Sequence, residues 1–355
     1  MHFKIIYIVF FIVLVFSCKK HGNKNDQSTP SKLKNGILVL CEGLFQHNNS
    51  SLSWVDFETS KVDDNFFVSK CSRELGDTGN DMKMYGGKIY IVVNVSSTIE
   101  VLDKFTGLPV KQISMQNGSK AKQPRSIVFK GSNAFITCYD GYVDVLDTLT
   151  LTITKRIKVG ANPERMSVLN NKLYVTNSGG LNAPNVDSTV SVINLTTLLE
   201  DKKIVVGKNP GSIVADNQGD MYVIARGNYG STPSRMVKIN TVNDSVESHF
   251  SFNASGIEKM NDDFLISYFD YSTNQSTIAL FNTISEQITN ANFISTTSII
   301  TTLFGVKYNS YQNKIYCLDA MGYSSTGYVR VFSSHGAYEK SYHVGLNPNS
   351  IVFYD

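Results

Sequence analysis

The sequence predicts an all-β fold: a seven-bladed β-propeller of four-stranded blades, closed by pairing N-terminal strands with the C-terminal strand. Three observations lead to this prediction. A short apolar phrase built around an aromatic residue recurs at intervals of roughly 40 to 50 residues, the length of a four-stranded blade. The segments around each copy alternate between apolar and polar residues and end in turn residues, which is typical of strands. Incomplete repeats at the two ends of the chain supply complementary parts of one further blade.

The repeated phrase is an apolar pair that contains an aromatic residue and is flanked by β-branched residues. Its copies are Ile89-Tyr90-Ile91-Val92, Phe135-Ile136-Thr137, Leu173-Tyr174-Val175, Met221-Tyr222-Val223, Phe264-Leu265-Ile266 and Ile315-Tyr316-Cys317. A strand that often begins with proline precedes a copy, and an alternating strand such as Thr98–Asp103 follows it. Beyond the N-terminal leader no segment has a sustained helical period, and only Leu195–Glu200 fits a short helical turn.

The number of blades follows from counting these repeats. Complete repeats cover residues 77–115, 123–159, 161–206, 208–252, 254–295 and 302–344. The start of the domain adds three strands without an inner one, Ile37–Cys41, Leu52–Phe57 and Val62–Phe67, and the C-terminus adds a lone inner strand, Ser350–Asp355. Joined together they form a seventh blade, which removes the free edges of the ring. One misassigned repeat would change the number to six or eight.

The N-terminus predicts export. Residues 1–17 combine the basic Lys4 with an apolar run, Ile5–Phe16, that is too short to span a bilayer and is typical of a signal peptide. The Val15-Phe16-Ser17-Cys18 sequence resembles the lipobox of bacterial lipoproteins, which implies cleavage before Cys18 and acylation of that cysteine. Residues 18–34 are polar and predict a flexible tether that anchors the domain to a membrane by lipid. The alternative is an ordinary signal peptide followed by an unrelated cysteine.

Composition argues against a nucleic-acid partner and leaves open whether the cysteines form a disulfide. The net charge is +3, so we expect no nucleic-acid partner. Four cysteines follow Cys18, namely Cys41, Cys71, Cys138 and Cys317, and their spacing matches no metal-binding pattern. Export permits a disulfide between Cys41 and Cys71, and buried free cysteines are the alternative.

Catalytic motifs are absent. The sequence has no nucleophile elbow, no His-Glu-x-x-His motif and no phosphate-binding loop. The acidic pairs Asp63-Asp64 and Asp262-Asp263 fit hairpin turns better than a calcium site. We therefore predict no catalytic residues, no metal site, no cofactor and no enzymatic activity.

One face of the predicted propeller has the features of a binding surface. The loops between the second and third strands are long in four blades, and long loops on a rigid scaffold commonly carry function. Several contain aromatic residues, which suit ligand capture because they offer contact area at little entropic cost. The first residues of the inner strands ring the central funnel on the same face. The candidate ligand-binding residues are Phe45, Asn80, Asp81, Arg125, Tyr139, Arg165, Asn177, Arg226, Tyr229, Tyr268, Tyr271 and Tyr323.

A recurring turn connects the sequence with a known family. Val159-Gly160-Ala161-Asn162-Pro163, Val206-Gly207-Lys208-Asn209-Pro210 and Val344-Gly345-Leu346-Asn347-Pro348 resemble the V-G-x-N-P turn of YncE-like seven-bladed propellers, and the resemblance covers nearly all of residues 36–355. Within that group the chain resembles lipoprotein propellers that are encoded with outer-membrane uptake systems. Some of those bind cobalamin on the cell surface and pass it to a TonB-dependent transporter.

The resemblance implies a lipid-anchored outer-membrane protein that binds a corrinoid, with the cell surface favoured over the periplasmic face. It does not identify ligand-contacting residues, because it lies in the blade skeleton and not in the loops. Two alternatives stay open. One is a propeller that binds a protein or glycan of the envelope. The other is an enzyme such as a lactonase or quinone-dependent dehydrogenase, which is disfavoured because Trp54 is the only tryptophan.

Overall fold

The computed structural model describes residues 32–270, 275–295 and 299–355 of the chain. These residues form seven four-stranded antiparallel sheets and one short two-stranded hairpin. The first strands of neighbouring sheets contact each other around a ring. The predicted seven-bladed propeller is therefore confirmed.

Almost all regular structure is β-strand, and the strands are numbered in chain order. They are β1 Gly36–Cys41, β2 Ser51–Asp56, β3 Val62–Asp63, β4 Gly79–Tyr85, β5 Lys88–Val93, β6 Thr98–Asp103, β7 Pro109–Ser114, β8 Gln116–Asn117, β9 Lys120–Ala121, β10 Pro124–Lys130, β11 Asn133–Cys138, β12 Tyr142–Asp147, β13 Thr152–Lys158, β14 Pro163–Leu169, β15 Lys172–Asn177, β16 Thr189–Asn194, β17 Leu199–Val205, β18 Pro210–Ala215, β19 Asp220–Ala225, β20 Arg235–Asn240, β21 Ser245–Phe250, β22 Ala254–Met260, β23 Asp263–Asp270, β24 Gln275–Asn282, β25 Gln287–Ser295, β26 Leu303–Asn309, β27 Lys314–Asp319, β28 Thr326–Ser333, β29 Tyr338–Leu346 and β30 Pro348–Tyr354. The described helices are α1, Phe66–Cys71, and two 3-10 turns, Gly180–Asn182 and Met321–Tyr323.

Blades 2 to 7 each use four consecutive strands and begin at β4, β10, β14, β18, β22 and β26. Blade 1 is assembled from both ends of the chain in the order β30-β1-β2-β3. Strands β1 and β30 are antiparallel, with Val39 opposite Ile351 and Ile37 opposite Phe353. This is the predicted closure of the ring, in which the two terminal strands pair with each other inside one blade.

The predicted outer strand of blade 1, Val62–Phe67, is wrong beyond its first two residues. Only Val62 and Asp63 pair with β2, and the chain then enters helix α1. Phe66 and Phe67 are both buried, in a cluster that joins blades 1 and 2. Successive residues of a strand point to opposite faces, whereas adjacent residues of a helix are only about 100° apart, so both rings can be buried in one cluster.

The core lies between the blades, and the repeated aromatic residue is at its centre. Each hydrophobic cluster combines residues of neighbouring blades, as in the cluster that packs Tyr174 of blade 4 against Met221 and Val223 of blade 5. The aromatic residues of the six copies are all almost completely buried: Tyr90, Phe135, Tyr174, Tyr222, Phe264 and Tyr316. Burial of one such side chain contributes about 1.5–3 kcal/mol, so the repeat stabilises every interface it reaches.

The V-G-x-N-P turns fold because asparagine accepts a left-handed backbone. Asn162, Asn209 and Asn347 have φ values of 44°, 56° and 57°. Each asparagine carbonyl accepts an N–H from the residue that follows the second strand of its own blade, at 3.1, 3.1 and 2.8 Å. The turn therefore fixes both the start of the inner strand and the start of the loop beside it.

The four described cysteines are free thiols, so the predicted alternative of a Cys41–Cys71 disulfide is not formed. Burial raises the pKa of Cys41 to about 12, which keeps this thiol protonated and unreactive. In the described ranges, no helix has the length and apolar character needed to span a bilayer.

Candidate functional site

A funnel-shaped cavity of about 710 Å³ occupies the centre of the ring. Its wall is formed by the inner strands of all seven blades. Residues from loops between second and third strands, such as Glu42, Arg226 and Tyr323, also line it, whereas the turns between first and second strands contribute none. The funnel mouth therefore lies on the face with the long loops.

A β-bulge in every inner strand forms the mouth. The register of each inner strand shifts at its beginning against the second strand. The residue after the first position is Asn80, Arg125, Glu164, Gly211, Ser255, Phe304 or Asn349 in blades 2 to 7 and 1, respectively. We call these seven residues the bulge ring. Bulges redirect side chains, and six of the seven line the funnel.

The most buried charges of the bulge ring are an ion pair between blades 3 and 4. Arg125 Nη2 lies 2.7 Å from Glu164 Oε1, and Arg125 Nη1 donates to Asn80 Oδ1. The Tyr139 hydroxyl donates to Glu164 Oε2 at 2.6 Å, and the Arg125 guanidinium lies over the Tyr139 ring at 4.8 Å. Burial acts to raise the pKa of Glu164, but Arg125, Arg226 and Arg165 lower it to about 2. Glu164 is therefore an anion at neutral pH.

Other charges pair across the funnel and deeper inside it. Arg165 Nη1 lies 3.7 Å from Asp81 Oδ2, which also accepts the Ile127 N–H at 3.0 Å. Burial acts to raise the pKa of Asp81, but Lys83 and Arg165 lower it. Further along the inner strands from the mouth, Lys307 Nζ pairs with Glu258 Oε2 at 2.8 Å.

Arg226 differs from the other funnel cations because its side chain has no ion-pair or hydrogen-bond partner among the described residues. Its guanidinium lies directly against Gly211, where an added Cβ would stand 2.4 Å from the Cζ of Arg226. The missing side chain of the bulge ring in blade 5 is thus replaced by Arg226. Its position is fixed by its N–H, which donates to the carbonyl of Asn209 in the V-G-x-N-P turn at 3.1 Å.

Glu42 occupies the equivalent position of blade 1, since its N–H donates to the carbonyl of Asn347 at 2.8 Å. Its carboxylate accepts a hydrogen bond from Asn349 Nδ2 at 3.1 Å. Burial raises the pKa of Glu42, against the opposing effect of that hydrogen bond and of Arg125 and Arg165.

Aromatic side chains form part of the rim. Tyr229 of blade 5 is 74% exposed, and Tyr323 of blade 7 is 50% exposed. Tyr323 packs edge to face on Phe304, with ring centroids 5.6 Å apart. The rim thus combines apolar surface with the charged interior, as small-molecule sites commonly do.

The structure brings most of the predicted site residues together. Seven of them line the funnel: Asn80, Asp81, Arg125, Arg165, Arg226, Tyr229 and Tyr323. Tyr139 lies behind the wall and orients Glu164. Phe45 is exposed on its loop and does not line the funnel. Tyr271 and the predicted lipidation site Cys18 lie outside the described residues.

Two of the predicted loop residues are in strands. Asn177 ends β15 and is fully buried, with its amide bonded to Thr189 and Ser191 at 2.9 Å each, so it cannot reach the funnel. Tyr268 lies inside β23, and its hydroxyl donates to the Ala291 carbonyl of the same blade.

Sequence reasoning missed Glu42, Glu164 and Phe304, all of which line the funnel. The signal for Glu164 was its place directly after Pro163, which matches the place of Arg125 after Pro124. Phe304 holds the same place in blade 7, but no proline marks it there.

Two features bear on the alternative of an enzyme: the grouping of possible metal ligands and the position of Trp54. No group of three or more His, Cys, Asp or Glu residues in the described part of the chain is arranged to hold a metal ion. Trp54 lies in blade 1, where it packs against Phe66 and Tyr354, and it does not line the funnel.

Fold and site together define a seven-bladed propeller with a polar funnel open on one face. The chain belongs to the family described as "Domain of unknown function (DUF5074)", whose sequence model matches residues 35–345. No curated protein matches the chain.

Three solved structures are similar in fold. Hydrazine synthase from Kuenenia stuttgartiensis has a TM-score of 0.64 and 13% identity, over 77% of this chain and 88% of that one. A quinoprotein alcohol dehydrogenase-like protein from Bacteroides thetaiotaomicron has a TM-score of 0.63 and 14% identity, over 91% of this chain and 79% of that one. The computationally designed protein Ika8 has a TM-score of 0.56 and 11% identity, over 92% and 93%. These likenesses show the fold alone. The YncE-like and cobalamin-binding resemblance stays a prediction.

Proposed function

We propose that this chain is a non-enzymatic binding protein of the bacterial envelope that captures a bulky nutrient at the funnel mouth. The observation that carries the proposal is the funnel itself, a concave cavity of about 710 Å³ with arginines inside and tyrosines on its rim. Its volume lies within the range of roughly 300–1,000 Å³ that is usual for small-molecule sites. Propeller rings are rigid scaffolds, so such a mouth is preorganised for capture.

The specific ligand that we propose is a corrinoid such as cobalamin, which the protein would pass to a TonB-dependent outer-membrane transporter. Cobalamin is a broad ring with amide arms and a phosphate that carries an aromatic base. The ring would lie across the mouth on Tyr229 and Tyr323, and the polar arms would reach the charged funnel wall. Lipid anchorage through Cys18, with the domain on the cell surface, would keep the protein in the same membrane as such a transporter.

The ion pairs of the funnel support binding over catalysis. Arg125 pairs with Glu164, and Lys307 pairs with Glu258. None of these four residues is therefore a free acid or base. Polar groups that are already paired hold the wall in shape and recognise a ligand by position.

Isothermal titration of the purified protein with cyanocobalamin tests the proposal. We expect measurable heat and a rise in melting temperature, because a ligand that binds only the folded state stabilises it. Tyr229→Ala should weaken binding by about tenfold, since an aromatic anchor that a ligand buries commonly contributes about 1–2 kcal/mol or more.

Tyr311→Ala is the matched control, because Tyr311 is an equally exposed tyrosine, at 81%, in a turn on the opposite face. It should leave the affinity unchanged. Absence of both heat and a melting shift with cyanocobalamin would overturn the corrinoid proposal. Specific capture of an envelope protein or glycan from outer-membrane extracts would then replace it.

A further inference from the structure

The funnel mouth is chemically divided into two halves. In blades 2, 3 and 4 the bulge ring is polar and charged, with Asn80, Arg125 and Glu164. In blades 5 and 6 the equivalent residues are Gly211 and Ser255, which project little or nothing into the funnel. The next position repeats the division: Asp81, Ser126 and Arg165 on one side, and Ser212, Gly256 and Gly305 on the other.

In blades 5 to 7, where these two inner-strand positions carry no charge, the mouth has aromatic boundaries. Tyr229 stands on blade 5, and the Phe304–Tyr323 pair stands on blade 7. Between them the described wall of blade 6 starts with Ser255 and Gly256, which line the cavity. We call this region the blade-6 slot. Among the described residues, small side chains between two aromatic boundaries leave room for a flat group, which aromatic side chains contact at their edges or faces.

Arg226 belongs to blade 5, like the slot boundary Tyr229, and its side-chain donors have no hydrogen-bond partner among the described residues. The described funnel lining contains five cationic side chains, Lys83, Arg125, Arg165, Arg226 and Lys307, and four acidic ones, Glu42, Asp81, Glu164 and Glu258. The other four cations each have a carboxylate within 4 Å. Only Arg226, among the described funnel residues, keeps its whole guanidinium available. That planar fork matches the oxygens of a carboxylate or phosphate.

We infer that the funnel accepts a flat aromatic ring bearing a carboxylate or phosphate, with the acid group on Arg226 and the ring in the blade-6 slot. This inference rests on the proposed binding function and adds its ligand chemistry. An aromatic acid uses Arg226 and the blade-6 slot at once, because its acid group pairs with the guanidinium and its ring packs in the slot. A neutral ring leaves Arg226 unpaired, and a small anion leaves the slot unfilled.

A matched probe series tests this: 2-naphthoate, 2-naphthyl phosphate and the neutral 2-naphthol, titrated calorimetrically into the intact protein. The three share one ring and differ in the attached group. We expect at least one of the two acids to bind about tenfold or more tightly than naphthol, because charge-assisted hydrogen bonds are about twice as strong as neutral ones. Comparison of the two acids shows whether carboxylate or phosphate is preferred. Equal affinity for the acids and for naphthol overturns the inference.

Variants separate the contribution of Arg226 from that of the blade-6 slot. Arg226→Met should remove the advantage of the acids over naphthol, and Arg226→Lys should restore only part of it because the fork is lost. The Arg226 side chain has no described protein partner, so these variants should fold. Ser255→Phe should weaken binding of all three probes, because Ser255 lines the blade-6 slot and a phenyl ring would fill it. An unchanged preference for the acids in Arg226→Met contradicts the assignment of the anion site.

The cyanocobalamin titration distinguishes this inference from the proposed function. If cyanocobalamin binds and no naphthyl probe does, the inference falls and the proposed function stands. If the acids bind through Arg226 and cyanocobalamin does not bind, the inference stands and the corrinoid falls. Tyr311→Ala again serves as the control, with unchanged affinity expected for every probe.

Discussion

Glu164 takes part in the most buried ion pair of the bulge ring. Its carboxylate is buried, pairs with Arg125 at 2.7 Å and accepts the Tyr139 hydroxyl. Glu164→Gln removes the charge and leaves Arg125 buried without its partner. Loss of one member of a buried pair costs about 3–5 kcal/mol, so we expect a clear drop in the free energy of unfolding measured with urea at pH 7.

The pH dependence of stability provides a second measure of the same contact. The pKa of Glu164 is lowered to about 2 in the folded state, against about 4.3 in an unfolded chain. Its stabilising contribution is therefore complete above about pH 4.3 and is lost as the pH falls toward about 2. Glu164→Gln should flatten this part of the stability curve.

Glu58→Gln is the control for both measurements. Glu58 lies 3.7 Å from Lys34, and both side chains are largely exposed. Exposed pairs contribute about 0–1 kcal/mol, so this variant should behave as the wild type. A Glu164→Gln protein as stable as the control at pH 7 would show that the buried pair does not stabilise the fold.

Residue-level placement was only partly predictable. Arg125 and Arg165 were both expected at the funnel and both line it. They are not equivalent, however, because the bulge gives Glu164 the place that Arg125 holds in blade 3. Period-two alternation does not reveal a bulge, so a sequence reading misaligns side chains beyond it.

The inter-blade turn is the element that sets the mouth. Asn347 has φ 57°, and its Nδ2 donates to the Gly43 carbonyl at 2.9 Å. Asn347→Ala places a side chain with poor left-handed tolerance there and removes the hydrogen bond. The expected loss is about 2–3 kcal/mol, from about 1–2 for the backbone and about 1 for the bond.

Asn347→Gly separates these two contributions. Glycine adopts the left-handed region without strain, so only the loss of the hydrogen bond, about 1 kcal/mol, should remain. Urea unfolding of both variants measures the difference. Equal destabilisation by alanine and glycine would exclude the backbone contribution.

The strands that carry the repeated phrase were predictable from the sequence, whereas helix α1, which has no repeated counterpart, was not. Strands β5, β11, β15, β19, β23 and β27 each carry the aromatic phrase whose burial holds neighbouring blades together. Helix α1 occurs once, in the blade that is assembled from both chain ends, and no other copy was present for comparison. Its adjacent Phe66 and Phe67 are the only local sign that a strand is unsuitable there.

The stability of the whole ring depends on blade 1, which is assembled from both ends of the chain. Deletion of Pro348–Asp355 removes β30 and with it the buried Ile351, Val352 and Tyr354. Burial of these side chains contributes about 1.5–3 kcal/mol each, which approaches the entire net stability of a domain, about 5–15 kcal/mol. We expect the truncated protein to lose its cooperative thermal transition in circular dichroism.

Deletion of Asp355 alone is the matched truncation. It removes hydrogen bonds to Asn309 and Gln312 and leaves the strand intact, so the transition should persist. A truncated protein without β30 that melts as cooperatively as this control would mean that closure is not needed for folding.

The two ends of the described fold emerge on the same side of the disc. The Leu33 N–H donates to the Phe105 carbonyl in the turn after β6, and the side chain of Asp355 accepts bonds at the turn after β26. Both turns lie on the side away from the mouth. An attachment at either end, whether a lipid, a fusion partner or a sensor surface, is therefore on the side opposite the funnel mouth. It leaves the mouth accessible to a ligand. A protein immobilised by a C-terminal tag should accordingly keep the ligand affinity that it has in solution.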